Sequence, residues 1–134
     1  MPKPVLVVAA LMELGGRILI GQRKRTDRHP LKWEFPGGKV EAGETPREAL
    51  ARELREELLV EAEVGKEVAR YEYTYPKRSP ILIIFFRVDS FTGTPQASEF
   101  EQIVWEEPAR LPDYDFLDGD ADFVRRLARG QVRV

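Results

Sequence analysis

The chain has 134 residues, 33% of them charged, a net charge of −2 and no cysteine. That length suits one domain spanning 1–134 with a single substantial core and leaves no room for a second. Dispersed basic residues argue against a nucleic-acid polymer as partner, and the lack of cysteine excludes a disulfide framework and thiolate chemistry, which suits a cytoplasmic protein. Val5 to Met12 is apolar but too short to span a membrane, and no small-residue cleavage pattern follows it.

In chain order, Pro4 to Leu14 is rich in Val, Leu and Ala and predicts a buried strand that ends at the two-residue turn Gly15-Gly16, with Arg17 to Arg23 returning as its partner. Lys24 to Lys32 is a polar loop holding the single histidine, His29, which is assigned no role beside Pro30. Arg23 ends the second strand close to where a glycine loop begins, so it either reaches an anionic ligand or stays a surface arginine. Trp33 to Lys39 predicts a strand whose aromatic pair, Trp33 and Phe35, serves as core or as a stacking surface.

The best specified element follows. Thr45 is an N-cap, Pro46 suits the first helical position, and Glu48 completes a capping box. Leu50, Leu54 and Leu58 form one apolar stripe. At about 100° per residue, Glu53, Glu56 and Glu57 share the sector beside it, while Glu48, Arg52 and Arg55 turn to the other side. Acids so spaced repel by a few tenths of a kcal/mol per pair. Two readings of that face stand: a hard divalent cation that offsets the repulsion, or a solvated face balanced by Arg47, Arg52 and Arg55. Gly37, Gly38 and Gly43 in the preceding loop permit close backbone approach to a ligand and favour the first.

Beyond the helix, Glu61 to Tyr75 predicts a strand with Tyr71, Tyr73 and Tyr75 on one face, and Pro76 to Pro80 a turn. Ile81 to Val88 predicts a central strand, Asp89 to Gln102 a loop carrying Glu99 and Glu101, Ile103 to Trp105 a short strand, Glu106 to Asp113 turns or a short helical piece, and Asp120 to Arg129 a terminal helix. Asp118 or Asp120 is available to cap that helix.

Gly38, Glu44, Arg52, Glu53, Leu54, Glu56, Glu57 and Val60 stand at the fixed positions of G-x5-E-x7-R-E-U-x-E-E-x-G-U, and through them the chain resembles the Nudix family. The late glycine is Leu59 here, which bears on the exit turn of the helix. The flanking Trp33-Glu34-Phe35-Pro36-Gly37-Gly38-Lys39 is similar to the MutT-like branch. The resemblance implies an α/β (α+β) fold, the Nudix α/β/α sandwich, with a mixed sheet flanked by the box helix and a C-terminal helix. It implies a nucleoside triphosphate pyrophosphohydrolase that uses Mg²⁺ or Mn²⁺ and acts on oxidised guanine or CTP-type nucleotides. Nucleoside diphosphate sugars and dinucleoside polyphosphates are the alternative substrates, and a non-hydrolysing nucleotide-binding module is the alternative of another class.

By the same resemblance, Glu53, Glu56, Glu57, Glu99 and the Gly37 carbonyl hold the metal, and Glu53, Glu56 or Glu99 takes a proton from water. Arg52 orients the carboxylates and Glu44 supports them from behind. Arg23, Phe35, Gly37, Gly38, Lys39, Arg78 and Asp120 contact the nucleotide, Asp120 at the base. The expected partner is a small nucleotide, with no membrane, and the expected state a monomer or small homo-oligomer.

Overall fold

Ile81 to Val88, the most apolar stretch of the chain, does become the middle of a sheet. The computed structural model describes residues 3–132. Its strands are β1 (Val5–Leu11), β2 (Glu13–Leu14), β3 (Arg17–Gln22), β4 (Trp33–Glu34), β5 (Gly37–Lys39), β6 (Glu61–Tyr73), β7 (Ile81–Thr92) and β8 (Gln102–Glu106). Its helices are α1 (Pro46–Leu58) and α2 (Ala121–Ala128), with 3₁₀ turns at Pro108–Asp113 and Asp118–Asp120. One mixed sheet has the order β5-β1-β7-β6, with β1 and β7 parallel and the outer strands antiparallel. In the second sheet β3 pairs with β2, β4 and β8, all antiparallel.

Alternation along the central strands sorts their side chains into two cores. Val8, Ala10 and Met12 with Ile84, Phe86 and Val88 meet Leu50, Leu54 and Leu58 of α1. Ala9, Leu11, Ile83 and Phe85 meet Phe123, Val124 and Leu127 of α2 on the opposite face. This is the mixed sheet between two helices that the box resemblance implies. The three α1 leucines are fully excluded from water. At about 2 kcal/mol each, their burial outweighs the few tenths lost to repulsion among neighbouring glutamates. The N-terminus of α1 forms as read: Thr45 Oγ1 accepts the Glu48 N–H (3.1 Å) and Glu48 Oε1 accepts the Thr45 N–H (2.9 Å).

Leu59 keeps the exit turn that glycine would normally make. It takes φ 59° and ψ 38°, and its N–H donates to the Arg55 carbonyl (3.1 Å). A non-glycine residue in this left-handed conformation costs about 1–2 kcal/mol, and the Leu59 side chain is exposed, so little burial offsets that cost. Leu59→Gly is therefore expected to raise stability by about 1 kcal/mol, measured by denaturant unfolding.

Three strand expectations are corrected. Pro4 to Leu14 is not one strand: β1 stays in the mixed sheet, and after Met12 the chain crosses to the second sheet, where β2 pairs with β3 over two positions. The chief partner of β3 is β8. Trp33 to Lys39 is also divided, because Pro36 has no N–H to offer a ladder and the chain uses it to pass from β4 to β5. The Pro36 carbonyl accepts the Ala10 N–H (2.8 Å) at that crossing. Finally, the loop expected from Asp89 begins later, since β7 runs on to Thr92 opposite Glu61 of β6. Among the described residues, no helix is long and apolar enough to cross a membrane.

Candidate active site

The crossing at Pro36 brings Gly37 and Gly38 against α1. Glu57 is buried, and its Oε1 accepts the Gly37 N–H at 2.8 Å. Gly38 passes so near Glu53 that a Cβ built there would lie 2.5 Å from Glu53 Oε2. Burial, then the charges of Glu34 and Glu53, hold the Glu57 carboxyl well above the ordinary carboxylate range. Glu53 is raised as well, first by burial. Glu99, on an exposed loop, adds its charge to both. Glu101 is instead tied through its N–H to the Gln22 carbonyl (2.8 Å).

Arg52 does not turn away from the acids as the helical angle suggests. Its side chain curls along the helix: Nε and Nη2 take both oxygens of Glu44 (2.6 and 3.0 Å), while Nη1 meets Glu53 Oε1 (2.8 Å) and Glu56 Oε1 (3.1 Å). Nη2 also donates to the Lys39 carbonyl (3.1 Å), so one guanidinium ties the glycine loop to the helix. The flexible stem of arginine, not the Cβ direction, decides where the charge goes. Glu56 is the outermost of the three box acids, its side chain half exposed.

A cleft of about 430 Å³ opens beside these groups. Val5, Val7, Ile81, Ile83, Phe35 and Leu117 give it an apolar wall, and Arg23, Arg28, Lys39 and Arg78 bring cations to it. Phe35 is largely core: it stacks on Phe116 (5.3 Å) and meets Phe85 and Phe123 edgewise, leaving only part of its ring to the cleft. Arg23 is braced on the Arg28 carbonyl (2.6 Å) and pairs with Glu34 Oε1 (3.1 Å), so it is a cleft wall and not a loose surface residue.

Asp120 occupies the N-cap position of α2, but its side chain makes no capping bond. It is buried (6% exposed), lines the cleft, and accepts the Phe35 N–H. Burial and the charge of Glu34 push its carboxyl up to about 8, and burial pushes Glu34 to about 7 against the pull of Arg23. Glu34, His29 and Tyr75 are cleft residues that sequence reasoning passed over. An acid between Trp33 and Phe35, beside the glycine loop, was the available signal for Glu34. His29 reaches the cleft through a left-handed backbone (φ 54°) that its residue type does not announce. It packs on Tyr75 (centroids 4.8 Å apart), whose hydroxyl accepts the Gly119 N–H at 2.9 Å. Tyr75 thus lies beyond β6 at the cleft and not in the core with Tyr71.

The α1 acids and their surroundings fit a hard divalent ion by donor chemistry. Glu53, Glu56, Glu57 and Glu99 supply oxygen donors alone, and the like charges gathered around buried Glu57 are only partly offset by Arg52. Among the described residues, no three acids close into a ready cage, since Arg52 engages Glu53 and Glu56.

Comparison with known proteins agrees with this geometry. The NUDIX domain family matches residues 2–127. A CTP pyrophosphohydrolase of Escherichia coli (strain K12) is 42% identical over 118 residues, 88% of this chain and 87% of that protein. An 8-oxo-dGTP diphosphatase of Haemophilus influenzae is 35% identical over 129 residues, 95% of this chain and 94% of that one. The solution structure of the E. coli ORF135 protein superposes with a TM-score of 0.85 at 39% identity, covering 96% of this chain and 91% of that one. With the family match spanning nearly the whole length and Glu57 of the box lining the cleft, the chain belongs to the NUDIX family and is a Nudix hydrolase.

Proposed function

We propose that this chain, as one Nudix domain, hydrolyses nucleoside triphosphates to nucleoside monophosphate and pyrophosphate in a divalent-metal-dependent reaction, with CTP-type or oxidised guanine nucleotides as substrates. The observation that carries this reading is the buried Glu57, held by the Gly37 N–H beside Glu53 at the edge of a cleft lined by Arg23, Lys39 and Arg78. Carboxylates and cations brought to one cleft suit a polyphosphate and its metal. Relatives named for CTP and for 8-oxo-dGTP support the two substrate classes.

Glu53, Glu56 and Glu57, with the Gly37 carbonyl and Glu99, would hold Mg²⁺ or Mn²⁺, whose chemistry is to neutralise phosphate charge and acidify a bound water. Lys39, Arg23 and Arg78 bind the phosphates, with Gly37 and Gly38 permitting close approach. Arg52, braced by Glu44, orients Glu53 and Glu56. A carboxylate oxygen of Glu53, Glu56 or Glu99 accepts the proton of the attacking water, and the raised proton affinity of Glu53 suits it to that step. Water adds to an internal phosphorus and the P–O bond bridging it to the leaving group breaks; the leaving group, pyrophosphate for attack at the α-phosphorus or nucleoside monophosphate for attack at the β-phosphorus, takes that electron pair. Phe35 and Asp120 hold the base. The cellular role that fits is clearance of damaged or excess nucleotides in the cytoplasm, bearing on DNA repair.

The test is product analysis with Mg²⁺ on CTP, dCTP, 8-oxo-dGTP, dGTP, ADP-ribose and a dinucleoside polyphosphate. Pyrophosphate from a cytosine or oxidised guanine triphosphate, at least about tenfold faster than the rest, is the expected result. Preferred cleavage of ADP-ribose or the dinucleoside compound would move the assignment to those substrates. Nucleotide-dependent melting without turnover would make the chain a binding module.

A further inference from the structure

We propose that the outer edge of β6 is an interface for a second copy of this chain, pairing antiparallel about a two-fold axis that sets Tyr71 opposite Tyr71 and Arg70 of each copy opposite Glu72 of the other.

β6 closes one side of the mixed sheet: it pairs with β7, and among the described residues no strand lies against its outer side. The first half of that edge is blunted. Its register against β7 slips between Glu63 and Ala69, and Arg47 Nε on α1 takes the Gly65 carbonyl at 2.9 Å. From Ala69, opposite Phe85, to Tyr73, opposite Ile81, the register is unbroken, so alternate residues turn their N–H and C=O groups outward along a regular run. Such a run accepts a further strand through its main chain. The other edge of the sheet, β5, has three residues and is tied to α1 by Arg52. In the second sheet β8 is also paired on one side, but Glu106 is its one charged residue, so pairing with its own copy brings no opposite charge to it.

Alternation limits the registers open to β6. Outward-facing residues must meet outward-facing residues, so two antiparallel copies pair positions an even number apart, and one residue faces itself at the axis. An axis at Arg70 sets guanidinium against guanidinium, and one at Glu72 sets carboxylate against carboxylate. Axes at Ala69 or Tyr73 carry the pairing into the irregular half or past the end of the strand. An axis at Tyr71 stays within the regular run and places Arg70 opposite Glu72 twice. Both side chains are exposed on the α1 face of the sheet, beside Ile84 and Leu82 of β7. Arg70 Nε and Nη2 hold Glu67 (2.6 and 2.7 Å), whereas Glu72 has no ion pair among the described residues. On the α2 face Tyr71 is braced by Arg126 Nη1, which donates to its hydroxyl at 2.6 Å, and the two tyrosines form an aromatic pair across the axis.

The test is sedimentation equilibrium of the full chain from about 5 to about 500 µM, comparing wild type, Arg70→Glu, Glu72→Arg and the double exchange. Wild type is expected to pass from monomer to dimer within that range, and more weakly by severalfold in about 0.5 M than in about 0.05 M NaCl. By symmetry each single exchange turns two opposite-charge pairs into two like-charge pairs, so each is expected to weaken the dimer at least about tenfold. The double exchange puts opposite charges back across the axis and is expected to return the affinity to within about threefold of wild type. A wild-type monomer at every concentration would overturn the proposal, as would a dimer indifferent to the single exchanges or one that the double exchange does not recover. The wild-type concentration and salt series decides even if a variant fails to fold, since a dimer that salt leaves unchanged would not be held by these pairs.

Discussion

Glu57→Gln is expected to lower turnover by a factor on the order of 10³ or more while leaving the protein folded. The amide oxygen of Gln can still accept the Gly37 N–H that Glu57 takes at 2.8 Å, so the loop keeps its anchor. What disappears is the negative charge, deepest of the box acids and set beside Glu34 and Glu53. The same change should stabilise the protein at neutral pH. Folding raises the proton affinity of Glu57, so the native state binds more protons than the unfolded chain above the ordinary carboxylate range, and stability falls as pH rises from there toward the folded value. Removing the titrating group removes that loss. A Tm at or above wild type near pH 8, equal to wild type at pH 4, together with near-zero turnover, is the signature. Wild-type turnover in this variant would remove Glu57 from the chemistry.

Gly37→Ala is expected to destabilise the fold by about 3 kcal/mol or more. Gly37 has φ 156°, and a Cβ there would stand 1.9 Å from the Val8 carbonyl oxygen in the strand it pairs with, a main-chain clash no rotamer relieves. Gly43, two turns of chain later, supplies the control: its φ is 85°, yet nothing lies within 4 Å of a built Cβ. Gly43→Ala should therefore cost only the left-handed strain of about 1 kcal/mol. Denaturant unfolding of the two variants separates crowding from backbone conformation. Equal losses would mean that β5 does not lie against β1 as described.

The helix that carries the acids was the most legible part of the chain, because a capping box, a proline at the first position and leucines at every fourth residue all act locally or with one period. Ile81 to Val88 was legible as central for the same reason, being apolar on both faces. The division of the two other strands was not. Nothing in Pro4 to Leu14 marks Met12 as the point where the chain changes sheets; that is decided by β7 and β8, far along the sequence. The proline in Trp33 to Lys39 was a visible signal, and its consequence, the passage from β4 to β5, is what sets Gly37 against Glu57. Within the site, Arg52 was placed on the wrong side by treating an arginine as if its charge sat at Cβ. Asp120 was open between a cap and a base contact. The absence of a capping bond and its burial in the cleft remove the first. Glu34, His29 and Tyr75 stayed hidden because each reaches the cleft through a tertiary contact or an unusual backbone angle.

The most direct test of the central claim is hydrolysis of CTP or 8-oxo-dGTP in ¹⁸O-labelled water, with the products separated by mass. Attack of water on an internal phosphorus predicts nucleoside monophosphate plus pyrophosphate, with one labelled oxygen per turnover in one of those two products, and no label incorporated by Glu57→Gln. Label in orthophosphate beside a nucleoside diphosphate would mean attack on the terminal phosphorus, and would contradict the account.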